Sequence, residues 1–119
     1  MAKEINTDAI REELLKLGIP PQFRAFEWLT RAVFLCSQDK KLRENPTGQL
    51  YELIAQEYNT EATIVLQAIR RAVRAAWENC NNYPYPEFNK VFEYYKSTKP
   101  PTSLEFVTRI SDYLSKEED

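Results

Sequence analysis

Between Gln49 and Trp77 the apolar positions recur at three- and four-residue spacing, break, and recur again. Leu50, Leu53, Ile54 and Tyr58 mark one face of a first helix, and Val65, Ala68, Ile69, Ala72 and Ala76 one face of a second. The break is short. It holds Asn59, which tolerates the left-handed conformation that ends a helix, and Thr60, whose hydroxyl can cap the next one. Ala55 lies on the inner face, where a small side chain lets two helices cross closely. The spacing predicts a helix-turn-helix over about 49–77, its second helix spanning about 61–77, with Val65, Ile69 and Trp77 inside.

The same reading extends along the chain. Thr7 is placed to cap a first helix through Ile10, Leu14 and Leu17, which Gly18 stops. Ile19-Pro20-Pro21 is an extended connector into a long second helix, about 21–37, where Phe23, Phe26, Trp28 and Phe34 alternate with Leu29 and Val33. Apolar residues on more than one of its faces predict a central position. The polar stretch from Gln38 to Gly48 reads as a surface loop. After the break at 81–86, a fifth helix is predicted over 87–96, carrying Phe88, Val91, Phe92 and Tyr95. Thr102 and Glu105 form a capping box ahead of a last helix whose Phe106, Ile110 and Leu114 face inward. Strand alternation, repeats and low-complexity segments are absent. The expected fold is all-α: one compact six-helix domain over 1–119, containing the helix-turn-helix.

Composition narrows the chemistry. The 119 residues contain no histidine, the commonest general base and zinc ligand, and only two glycines, Gly18 and Gly48, too few for a phosphate-cradling loop. Cys36 and Cys80 are far apart with no ligand partners nearby, so neither a disulfide framework nor a metal site is suggested. No catalytic constellation can be assembled, and an enzyme is not expected, nor a cofactor or metal. No apolar run is long enough to span a bilayer and residues 1–10 do not resemble a signal peptide, which points to a cytoplasmic protein without a membrane partner.

Charge points elsewhere. At about 100° per residue, Thr63, Gln67, Arg70, Arg71 and Arg74 share the side of the second helix opposite its apolar stripe. Arginine and glutamine can each make paired hydrogen bonds to base edges or phosphates, so this face suits a DNA major groove. Thr60 and these basic residues would anchor phosphates, with Lys40, Lys41 and Arg43 as a second basic cluster. A net charge of −2 opposes this mildly, but its distribution is polarised: 61–77 carries three arginines against one glutamate, while 117–119 is wholly acidic.

Three segments carry a family resemblance. The helix-one exit ELLKLGIPPQFRAFEWLTRAV, the pair LYELIAQEYNTEATIVLQAIRRAVRAAW and the late KPPTSLEFVTRISDYL together resemble the C-terminal DNA-binding domain of stage 0 sporulation protein A, a response regulator of Firmicutes. They cover nearly the whole chain in the family's order and spacing. The resemblance implies a DNA-binding transcriptional regulator of sporulation with double-stranded DNA as partner, bound as a homodimer on DNA. It further implies contact with the sigma subunit of RNA polymerase just after the recognition helix, here Glu78 to Phe88. The family's regulators carry a phosphoacceptor receiver domain before this one, and 119 residues leave no room for it. At Ile64, Leu66 and Gln67 the family has arginine, glutamate and arginine, so altered site specificity is expected. The competing reading is a protein-interaction or dimerisation module on the same fold, with Ile64 and Leu66 as an exposed apolar patch.

Overall fold

Helix α2 (Arg24–Gln38) is the post against which the other elements pack. The computed structural model describes residues 6–82, 91 and 100–117. Around α2 stand α1 (Thr7–Lys16), α3 (Tyr51–Glu57), α4 (Ala62–Asn82) and α5 (Ser103–Glu117). A 3-10 turn (Lys40–Arg43) and a π turn (Pro46–Leu50) link α2 to α3. α2 takes the centre because its buried residues circle it: Ala25, Trp28, Leu29, Ala32, Val33 and Cys36 span more than one face. The expected fifth helix over 87–96 lies outside the described residues, except for Val91, which is buried. Among the described residues there are five α-helices and no strand.

Two helix ends use one device. Gly18, at φ 90°, closes α1: its amide donates to the Leu15 carbonyl at 3.1 Å and the Ile19 amide to Leu14 at 3.0 Å. Asn59, at φ 55°, closes α3: its amide donates to Gln56 at 3.4 Å and the Thr60 amide to Ala55 at 2.8 Å. The second closure reverses the chain within a few residues and lays α4 against α3, with Ala55 buried beneath. At the head of α5 the capping box is formed, with the Glu105 amide donating to Thr102 Oγ1 at 3.1 Å and the Thr102 amide to Glu105 Oε1 at 3.4 Å.

Several local expectations are corrected. The α1 cap is Asn6, whose Oδ1 accepts from the Asp8 amide at 2.7 Å, rather than Thr7, the first helical residue. α2 starts at Arg24 and leaves Phe23 exposed. The stretch 38–48 is not a plain loop. Asp39 caps the 3-10 turn by accepting from the Lys41 amide at 3.0 Å, and Leu42 anchors the turn in the core. From the end of the π turn through α3 the buried stripe is Leu50, Tyr51, Ile54 and Ala55, whereas Leu53 is 45% exposed and Tyr58, just past the helix, 40%. Seven residues give α3 under two turns, so only one narrow face meets its neighbours; Tyr58 instead sets its ring edge-on to Trp28, at 6.3 Å.

Helix α4 buries Val65, Ile69, Ala72, Val73 and Ala76, while Ala68 and Trp77 are half-buried, the latter less enclosed than expected. Replacing Ile69 with alanine should therefore cost about 2–5 kcal/mol, combining lost transfer energy with a cavity. Arg71→Ala, on the exposed face, should stay within about 0.5 kcal/mol. Denaturant melts of both variants check this ranking, and the reverse order would mean that the two faces of α4 are misassigned.

Candidate nucleic-acid interface

The side of α4 turned from the core carries Thr63, Gln67, Arg70, Arg71 and Arg74, all exposed. The face exists because 3.6-residue periodicity and the buried stripe leave these positions nowhere else to point. Arg70 and Arg71 have no ion-pair partner among the described residues. Arg74 reaches Glu78 one turn on at 3.7 Å; both side chains are largely exposed, so the pair is weak and its guanidinium stays free to exchange partners.

The other sequence candidates are placed differently. Thr60 is half-buried, and its amide is spent closing α3. The cap position of α4 is Glu61, one residue later than expected: its carbonyl accepts from the Ile64 and Val65 amides at 3.0 and 3.1 Å. Ile64 is 44% exposed, but Leu66 is half-buried and packs on the core, so the two do not form a shared exposed patch. The second basic cluster shrinks to Lys40 and Lys41, because Arg43 is drawn onto Asp112 at 3.0 Å and Ser111 Oγ at 3.5 Å. Of the segment from Glu78 to Phe88, where the resemblance implies a polymerase contact, 78–82 continues α4 and 83–88 lies outside the described residues.

Beside the arginines is a feature that sequence periodicity did not reveal. A cleft of ≈ 350 Å³ opens between α4 and the start of α5, lined by Tyr51, Leu66, Arg70, Arg74, Pro101 and Ser103 among others. Tyr51 lies outside the apolar positions that marked its helix in the sequence, and no local spacing signals its place in the cleft. The Tyr51 and Ser103 hydroxyl oxygens are both buried without a hydrogen-bond partner of acceptable geometry. Burial pushes the Tyr51 phenol up to about 12, against the opposing influence of Arg70 and the Ser103 hydroxyl. Cys36, enclosed in the core, is pushed up to about 11 by the same desolvation. Among the described residues no three metal-ligand side chains gather, and no helix is long and apolar enough to cross a membrane.

A family model described as "Sporulation initiation factor Spo0A C terminal" matches residues 10–114. The chain belongs to that family, whose domain is a DNA-binding effector of transcription regulation in sporulation and not an enzymatic one. The all-helical architecture agrees with the resemblance that the three sequence segments carry.

The two buried acids carry a pH dependence. Each has a folded-state pKa above its unfolded value, from 9 to about 11 for Cys36 and from 10 to about 12 for Tyr51. Well below pH 9 both groups stay protonated in either state and stability is undiminished. As pH rises through this range the unfolded chain loses protons first, so stability falls by about 1–3 kcal/mol per group. Melts between pH 8 and 12 should show this loss. Cys36→Ala should remove its lower part and Tyr51→Phe its upper part; unchanged curves in both variants would contradict the assignment.

Proposed function

We propose that this chain is a transcriptional regulator of the sporulation-initiation type that inserts the exposed side of α4, about 61–77, into a DNA major groove. One observation carries the reading: Gln67, Arg70, Arg71 and Arg74 share a solvent-facing surface on a helix whose opposite stripe is locked into the core. Gln67 stands in the first half of the helix, where base edges are met, and its amide pairs with adenine by accepting from N6 and donating to N7. Arg70, Arg71 and Arg74, with Thr63 and the Thr60 turn beside them, hold phosphates.

The site specificity differs from that of the family, in our reading. Ile64 offers only apolar contact, at best to a thymine methyl, and Leu66 is turned partly into the core. The family's promoter element is therefore bound no better than scrambled DNA. Assembly as a homodimer on DNA and contact with the polymerase sigma subunit after α4 complete the proposal. The exposure of Ile64 favours a second reading, a protein-interaction or dimerisation module, although Leu66 contributes little free surface to it.

Binding to duplex DNA, measured by fluorescence anisotropy across a salt series, should weaken steeply. Each neutralised phosphate contributes about 0.9 to the slope of log affinity against log salt. Gln67→Ala should lose about 1–3 kcal/mol of discrimination at one base pair, whereas Arg74→Ala should weaken all sequences alike. Absence of binding at low salt would remove the DNA-reading proposal and favour the interaction module.

A further inference from the structure

We infer that the cleft between α4 and the start of α5 is a phosphate-binding site. Resting on the DNA-reading proposal, its leading occupant is a backbone phosphate flanking the groove that α4 enters. Four observations converge. Arg70 and Arg74, one turn apart on α4, line one wall and supply positive charge without a buried counter-ion. The opposite wall is the N-terminus of α5, a 15-residue helix, where the amides of Ser103 and Leu104 head the helix and have no intrahelical acceptor. Pro100 and Pro101, without N–H groups, lie just before it, and the capping box already occupies the Thr102 and Glu105 amides.

The fourth observation is the floor. Tyr51, 2% exposed, and Ser103, 6% exposed, both line the cleft and both have buried hydroxyl oxygens without a partner. Even turned toward each other, the two hydroxyls would share only one of their two protons. The second proton needs an acceptor, and an oxyanion in the cleft would supply it. Hydroxyls, helix-head amides and two guanidiniums make a donor-rich, cationic lining. That lining matches a phosphate group, which accepts at every oxygen. The ≈ 350 Å³ of space holds such a group with solvent around it.

The test uses the whole chain and a double variant, Tyr51→Phe with Ser103→Ala, which keeps both arginines and the Thr102 cap. Melting curves establish that the variant is folded. Duplex affinity is measured by anisotropy, and inorganic phosphate is added to melts at fixed ionic strength. Duplex affinity should fall about ten-fold or more in the variant, with base discrimination unchanged, the loss expected for one or two hydrogen bonds to a charged group. If inorganic phosphate also raises the melting temperature of the parent chain but not of the variant, free phosphate enters the same site. If only the duplex responds, the source is the DNA backbone. Phosphate stabilisation without any duplex binding would keep the site and overturn the DNA reading. Full-strength duplex binding by the variant, with phosphate inert on both proteins, would overturn the site and leave the DNA reading intact.

Discussion

The apolar stripe of α4 packed on α2 is the contact on which the rest depends. Val65, Ile69, Ala72 and Ala76 are all buried, and the larger of them contribute about 1.5–3 kcal/mol each by leaving water. Because side chains on a helix are fixed about 100° apart, burying this stripe also fixes where Gln67, Arg70 and Arg71 point. Stability and presentation of the polar face are thus one event. The Asn59 closure does the remaining positioning: its left-handed backbone and the Thr60–Ala55 bond set how α4 leaves α3.

Electrostatics explains how a chain of net charge −2 can present a cationic surface. Several basic residues are neutralised locally: Arg11 pairs with Asp8 and Glu27, Arg31 with Glu57, Arg43 with Asp112. These tie α1 to α2, α2 to α3, and the 3-10 turn to α5. Arg70 and Arg71 stand outside that network, and Arg74 is held only by an exposed neighbour. A local field of this kind acts over about a Debye length and is screened by salt, so it can favour a polyanion at short range despite the overall charge.

Periodicity made most of the core legible. The α4 faces, the Gly18 and Asn59 closures, the Thr102–Glu105 box and the inward Phe106, Ile110 and Leu114 follow from local rules of spacing and capping. Where neighbours compete, those rules gave way. Leu53 and Tyr58 obey helical spacing yet face solvent, because α3 is too short to enclose a broad face. Asn6 took the cap from Thr7, and Leu42 turned a polar loop into an anchored element. Of the site, the outward α4 face was readable, since it follows from the same period as the core. Arg43 was misjudged because its partner, Asp112, lies 69 residues away, and the Tyr51–Ser103 floor was invisible because it joins two distant helices.

The central claim is that α4 presents its outward face to DNA. Mapping backbone amide chemical shifts on adding a random-sequence duplex at low salt tests it most directly. The account predicts shifts concentrated between residues 60 and 74, fading as salt rises. Shifts confined to another surface, such as that around Leu15 and Phe23, with residues 63–74 unmoved, would contradict it.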